Sequence, residues 1–451
     1  MSQANPDSSA VLVSDSSAAG ETRTAERASF WDHPIGFWFI FWGELAERAA
    51  FYGMRTLLAL YMKDRLGFSE ANASVVIGYF GTAVYILPFL GGYLADHYFG
   101  KYRTIVAFSL PYILGQVLVG IESVPFLYTA LALLAMGSGV IKPNISPLMG
   151  MTYDQKRPGQ TKLRSDAFAM FYFAINVGSA ASTFALPVVR NHYGYAVAFL
   201  FPAVLMAFAL AFFAVGKPFY AVETVSKNRA TPEQRREQWL LLAQLLGLFI
   251  MVPFFWSVFE QQPSTWTFFA ADHLDLHFCG WQIPPDQLQF LNPAFILVLL
   301  PAMAVLWRVF ARLGLDFKAT DKMLIGFILT VLSVVVMAVA AYRAESLGKV
   351  SMMWEAGAYL LITAAEVCIS VVGLELAFAA APATMKSFIT AFWLAMVALG
   401  DLLNTRITPL YKEKLSPGDF FALSAALMIV VAAAFALLAR RFNRSAVKLQ
   451  Q

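Results

Sequence analysis

Apolar runs of about 20 residues, the length that crosses a hydrocarbon core, recur along the chain from Pro34 onward with short polar breaks between them. The runs fall at residues 34–62, 72–95, 104–121, 126–146, 166–190, 195–215, 238–261, 289–307, 323–342, 352–380, 386–410 and 418–439. This pattern predicts an all-α polytopic membrane protein of twelve transmembrane helices. A polar break at 216–237, with a helix-start signal at Thr231-Pro232-Glu233, divides the spans six and six. Residues 1–33 are polar and Ser/Ala-rich, without an apolar core or small-residue cleavage site. They read as a disordered cytoplasmic tail rather than a cleaved signal. The expected organisation is therefore this tail, an N-terminal six-helix bundle at 34–215, a cytoplasmic linker at 216–237, a C-terminal six-helix bundle at 238–442 and a cytoplasmic tail at 443–451. Residues 262–288 carry no Lys or Arg and read as an external loop.

An even number of spans puts both termini on one side, and the basic residues say which. The loops and tails on the terminal side hold 22 Lys/Arg and the opposite loops seven, with Arg48, Arg55, Lys142 and Arg406 inside spans. By the positive-inside bias the terminal side is cytoplasmic.

Composition agrees with the pattern. Charged residues make up 14% of the 451, against about 25% in soluble proteins, and 59% are hydrophobic. The net charge of +4 alternates between loops instead of clustering on one face, so it fits membrane topology and not nucleic-acid binding. Cys279 and Cys368 form neither a disulfide framework nor a metal-ligand spacing.

The informative residues are ionisable groups inside spans, because a charge at the bilayer centre costs roughly 2.5–3.5 kcal/mol on insertion scales. Glu44, Glu47, Arg48 and Arg55 lie in the first span, and a rotation of about 100° per residue puts all four on one face. Such a face cannot meet lipid; it lines a pathway or forms a buried lock between helices. Lys142 stands beside Pro143 in span four and is placed to hold an anion or to snorkel. Glu260 follows the aromatic run Phe254-Phe255-Trp256-Ser257-Val258-Phe259, and Glu366 is isolated in mid-span ten. A lone intramembrane carboxylate that changes partner is a natural proton carrier. Asn176 and Asn292 offer neutral donors and acceptors, as ligands or as helix–helix glue. Glu375, Asp401 and Arg406 have no assigned role.

An enzyme would need a nucleophile, metal set or catalytic dyad at membrane depth. His33, His97, His192, His273 and His277 fall at loops or span ends. The i,i+4 pair His273 and His277, near Asp272 and Asp275, has only a weak metal-like spacing and reads as solvated loop. No nucleophile elbow, phosphate loop or Cys-metal motif is present. The chain reads as a non-enzyme without a metal.

At Glu44-Leu45-Ala46-Glu47-Arg48 the sequence resembles the bacterial proton-dependent oligopeptide transporter family, within the major facilitator superfamily. Further similarities follow in order: Gly91-Gly92-Tyr93-Leu94-Ala95-Asp96-His97-Tyr98-Phe99-Gly100-Lys101-Tyr102-Arg103, Lys142-Pro143-Asn144-Ile145-Ser146, Phe171-Tyr172-Phe173-Ala174-Ile175-Asn176-Val177-Gly178-Ser179, Phe255-Trp256 to Glu260-Gln261, Asn292-Pro293, Ala365-Glu366 to Ala381-Pro382, and Phe392-Trp393. The resemblance implies the major facilitator fold and symport of di- and tripeptides with protons by alternating access. It implies no cofactor beyond the coupling proton, no nucleic acid and no obligate protein partner, in a bacterial inner membrane. It makes Glu44, Glu47, Arg48 and Glu260 the proton-coupling residues. Arg55 and Lys142 would receive the peptide carboxylate, and Glu366, Asn176 and Asn292 its amine. Tyr52, Tyr85, Trp256 and Trp393 would shape the side-chain pockets. The residues of gate ion pairs would be Arg55, Glu260, Lys142 and Glu366.

The chain departs from the family pattern at Ala49, usually Phe, and at Phe51, usually Tyr, changes expected to alter side-chain preference without removing a titratable group. The linker is too short for the two additional helices of many bacterial members, so twelve spans are expected. Alternatives on the same scaffold are transport of nitrate or another organic anion, against which Glu366 argues, and drug/proton antiport, against which Arg55 and Lys142 argue.

Overall fold

A computed structural model describes residues 32–223, 249–380 and 386–448, with single positions between 224 and 248. The tail to residue 31, half of the linker, nearly all of the start of the seventh span and the Ala381-Pro382 pair lie outside the described residues. The helices are α1 (Ile35–Asp64), α2 (Glu70–Leu94), α3 (Lys101–Val119), α4 (Val124–Lys156), α5 (Thr161–Tyr193) and α6 (Tyr195–Val215) in the first bundle. In the second, α7 is made of Val252–Phe259, a π-turn at Gln262–Trp266, and Thr267–His273. It is followed by α8 (Leu291–Arg312), α9 (Ala319–Leu347), α10 (Met353–Glu366, a π-turn at Val367–Val371, and Val372–Ala380), α11 (Lys386–Ile407) and α12 (Pro417–Lys448). These are twelve transmembrane helices in two six-helix bundles. Among the described residues, nine helices are long and apolar enough to span by those criteria alone. The first helix is not among the nine because its buried face carries four charges.

Local sequence explains the element ends. Ser69 caps α2, its hydroxyl accepting from the Asn72 amide at 3.2 Å, with Glu70 in the first turn. The Asp321 carboxylate accepts from the Lys318 amide at 3.0 Å to start α9. Gly194, at φ +83°, makes the sharp joint between α5 and α6, a conformation costly for any residue with a Cβ.

Small residues set the helix spacing, as expected where lipid supplies no hydrophobic drive between helices. A Cβ on Gly137 of α4 would lie 2.4 Å from the Tyr112 Cβ of α3. One on Gly53 of α1 would lie 2.5 Å from Leu186 of α5, and one on Gly178 of α5 would lie 2.5 Å from the Leu45 carbonyl of α1. The first helix is thus clasped inside its bundle, and this is what aims its charges inward.

Two expectations need correction. Residues 262–273 are helical, not loop, so α7 runs on to His273. The polar string Gln262-Pro263-Ser264-Thr265 misled because its groups bond within the helix: Thr267 donates to the Gln262 carbonyl at 2.9 Å and Ser264 to the Gln261 carbonyl at 3.3 Å. At the other end α12 continues through Lys448, so residues 443–448 extend the last helix.

The face of the molecule opposite the termini, here the distal face, carries the small amount of β structure. β1 (Leu274–Asp275) pairs in parallel with β4 (Val350–Ser351), while β2 (His277–Phe278) and β3 (Trp281–Gln282) form a hairpin. Its two-residue turn, Cys279-Gly280, has positive φ at both positions, the twist a tight hairpin demands.

Replacing Gly137 by Val is expected to force α3 from α4, lowering stability by about 1–3 kcal/mol. The thermal unfolding midpoint in detergent reports this; an unchanged midpoint would contradict the packing described.

Candidate functional site

The buried charges form three groups of contacts, two of them on the charged face of α1. Arg48 reaches Glu44 at 3.1 Å, one helical turn back, and also pairs with Glu47. All three are at most 5% exposed. Two turns on, Arg55 pairs with Glu260 of α7 and so joins the two bundles. In the second bundle Asn292 of α8 donates to Glu366 at 2.9 Å and to the Thr363 hydroxyl of α10 at 3.1 Å. The α10 π-turn begins directly after Glu366, a placement frequent at functional sites.

Lys142 is held differently. Its ammonium lies 4.5 Å from the Tyr85 ring centre and 4.7 Å from that of Phe51. A cation–π contact is worth roughly 0.5–2 kcal/mol, less than a buried ion pair lost. Such a cation remains open to an incoming anion.

Between the bundles lies a cavity of about 240 Å³, lined by Tyr52, Arg55, Tyr85, Tyr172, Asn176, Ser179, Thr183, Trp256, Glu260, Gln289, Asn292 and Glu366, among others. The volume is below the roughly 300–1,000 Å³ of drug-sized pockets and suits a small solute. Seven of the nine expected substrate-binding residues line it. Lys142 stands behind Tyr85, and Trp393 is packed against Gly373 and 5.5 Å from the Phe249 ring. Of the four expected gate residues, Arg55 and Glu260 pair with each other. Lys142 and Glu366 do not pair in this conformation, because aromatic rings take the ammonium and Asn292 takes the carboxylate.

The distal side is closed by contacts that the sequence did not single out. Arg190 of α5 and Asp286, just before α8, make a two-pronged pair at 2.7 and 3.0 Å, both buried. Lys63 bonds Glu70 at 2.6 Å and Asp272 at 3.4 Å, while Lys412 reaches the same two carboxylates. Gln289 donates to the Thr56 carbonyl at 3.3 Å, and Gln287 to the Phe184 carbonyl at 2.7 Å. Arg190 ends an apolar run and Asp286 sits in a polar break, so neither carried a signal before the fold brought them together. Tyr172 and Ser179, which also line the cavity, lie within the quoted span-five motif, where nothing in the sequence alone marks them as facing a solute.

On the terminal side Asp96 pairs with Lys101 at 2.6 Å. Asn144 of α4 donates to the Gly91 carbonyl of α2 at 3.2 Å. The first contact spans the connection from α2 to α3, and the second holds α2 against α4.

Two bundles meeting at a central charged cavity, shut on one face, define a membrane transporter of the major facilitator type. The family model described as the POT family matches residues 102–235 and 223–423. The chain belongs to the POT family. It is 31% identical over 370 residues to mouse solute carrier family 15 member 1, covering 68% of this chain and 52% of that one. It is 33% identical over 368 residues to peptide transporter family 1 of Drosophila melanogaster, covering 69% and 49%. The chain spans about half the length of these curated relatives. Among solved structures it is similar to the POT family transporter PepTSo, with a TM-score of 0.84 and 29% identity over 91% of this chain and 99% of that one. It is also similar to an auto-inhibited POT family peptide transporter, with a TM-score of 0.83 and 25% identity over 90% and 97%. The family's members are transporters, not enzymes.

Replacing Asp286 by Ala leaves Arg190 buried without its partner. A loss of about 3–5 kcal/mol is expected, read as a lower unfolding midpoint, and the double change Arg190→Met/Asp286→Leu is expected to recover most of it. Equal midpoints for Asp286→Ala and the unaltered protein would refute the role given to this pair.

Proposed function

We propose that this chain carries di- and tripeptides into the cell together with protons, by alternating access, from a bacterial inner membrane with both termini in the cytoplasm. The observation that carries the reading is the polarity of the cavity. Arg55 stands on the α1 wall, with Lys142 close by behind Tyr85, and Glu366 with Asn292 stands on the opposite wall. A short peptide has one anionic and one cationic end at limited spacing, and these two walls complement those ends rather than any one sequence. Aromatic side chains, Tyr52, Tyr85, Tyr172 and Trp256, surround the space between and offer faces that suit many side chains.

A bound zwitterion bridges the bundles and favours their closure around it, because its affinity is higher where both walls are near. Its carboxylate draws Lys142 off the aromatic rings and competes with Glu260 for Arg55. Its ammonium replaces Asn292 as the partner of Glu366. Protonation of Glu260 releases Arg55 and weakens the distal gate, while protonation of Glu44 or Glu47 loosens Arg48. Each proton therefore exchanges one ion pair for a neutral group, and the gradient sets the direction. Phe51, where the family pattern has Tyr, presents an apolar ring to Lys142, so that cation has no phenol oxygen there to hold it.

The test is uptake of a labelled dialanine-like peptide into liposomes that hold the purified protein, under an imposed inward proton gradient. Accumulation that a protonophore abolishes is the expected result; no accumulation of any di- or tripeptide by folded protein moves the function to another solute. With uptake in hand, Glu47→Gln and Arg48→Ala are expected to abolish gradient-driven accumulation while retaining exchange of labelled for unlabelled peptide. Lys142→Ala is expected to weaken peptide binding roughly tenfold or more, the order expected for a lost charge-assisted bond. Gradient-driven uptake by Glu47→Gln at the unaltered rate, or an unchanged binding constant in Lys142→Ala, would overturn the respective role.

A further inference from the structure

We infer that Asp401 is a proton-binding site of the distal gate, and that the α2–α11 contact closes only over its neutral form. The residue lies on α11 in the distal half of the membrane and is 1% exposed. Neither carboxyl oxygen has a hydrogen-bond partner among the described residues. It does not line the central cavity, so the transport site as described makes no use of it.

The contact around it is built for close approach between bundles. A Cβ on Gly81 of α2 would lie 2.5 Å from one Asp401 oxygen and 2.7 Å from the carboxyl carbon and the other oxygen, so only a glycine hydrogen fits beneath the carboxyl. One turn away, Gly78 makes the same allowance for Thr405. Asn404, on the same helix, donates to the Glu260 carbonyl at 3.1 Å and ties α11 to the α7 residue that holds Arg55. The charged groups facing Asp401 are Glu260 of α7, Arg55 of α1 and Lys142 of α4, with the Tyr85 phenol of α2. Arg55 is taken by Glu260, and Lys142 by aromatic rings.

An ionised carboxylate sealed between two helices without a partner is far more costly than the neutral acid, which leaves one hydroxyl unsatisfied. Separation of the bundles on the distal face removes α2 and admits water, where an Asp ionises with a pKa of about 3.9. Closure therefore takes one proton from the distal solution onto the carboxylate, and opening returns it to the same solution. The sign follows by linkage: the closed form binds one more proton than the open form, so it is favoured as pH falls and lost as pH rises, with the open-to-closed ratio rising by up to tenfold per pH unit. Because the proton is taken and returned on one side, Asp401 tunes the gate to distal pH without adding to the number of protons carried per peptide.

The inference rests on the alternating-access part of the proposed function, and its test needs no substrate. Nitroxide labels at Glu122→Cys and Lys349→Cys, on exposed distal loops of the two bundles, in full-length protein with Cys279→Ser and reconstituted in nanodiscs, report the distal separation by pulsed EPR. The expected result is a longer-distance population that grows from pH 5 to pH 8.5, and a titration slope that falls by one proton per molecule in Asp401→Asn. An unchanged slope in Asp401→Asn, or an open distal face at every pH in that near-isosteric variant, overturns the inference. Gly81→Ala, which crowds the carboxyl, provides an independent check: its opening midpoint is expected at lower pH, and an unmoved midpoint also overturns the inference. Failure of proton-driven peptide uptake in the unaltered protein would touch only the transport reading, since the distance titration stands without it.

Discussion

Hydrocarbon offers a charged group no partner, and the arrangement of this molecule around α1 follows from that. Two carboxylates and two guanidiniums on one helical face must be enclosed by protein or water. The face is enclosed from three directions: by its own i,i+4 pairing at Glu44 and Arg48, by the close packing of α5 at Gly53 and Gly178, and by α7, which brings Glu260 to Arg55. The last contact crosses between bundles. A requirement of local solvation thereby becomes a requirement on global conformation, since separating the bundles on the distal face leaves Arg55 and Glu260 to find water or each other's substitute.

The remaining polar groups divide by how replaceable their partners are. Arg190 and Asp286 satisfy each other in two-pronged geometry far from the cavity, an arrangement suited to holding. Glu366 has a neutral amide and Lys142 has two aromatic faces, arrangements suited to releasing. A neutral donor exchanged for an ammonium, or a ring exchanged for a carboxylate, gains electrostatic energy at the moment a zwitterion arrives. In the proposed function the cavity wall is thus preset to prefer a solute with both charges over one with either alone.

The span count, the six-and-six division and the one-sided charge of α1 were legible because each is written in composition along continuous stretches of chain. Arg55 and Glu260 could be joined through the ordered motifs, although they lie 205 positions apart. What stayed hidden depended on two segments meeting. The Arg190–Asp286 pair needed α5 and the approach to α8 to converge, and the helix at 262–273 needed its hydroxyls to turn back on their own backbone. Lys142 was legible as an unusual cation but not as one stacked on rings, since Phe51 and Tyr85 lie on two other helices.

The contact of α2 with α11 carries the same logic to its limit. At Arg55 a charge is buried with a countercharge, and at Glu366 with a neutral donor; at Asp401 an acid is buried with neither, beneath a glycine that leaves room for nothing else. Packing of this kind is bistable: two helices with glycine beneath a carboxyl are either in full contact or apart, because a partial gap forfeits the dispersion contacts without admitting water. A two-position element whose closed form excludes an ion and whose open form solvates it couples protonation to motion without any directed wire between them. In the proposed mechanism the distal gate sets one ion pair that breaks on protonation, Arg55 with Glu260, beside one acid that closes on protonation. The two responses subtract, so the acid drives opening as distal pH rises and the ion pair lowers the slope of that trend.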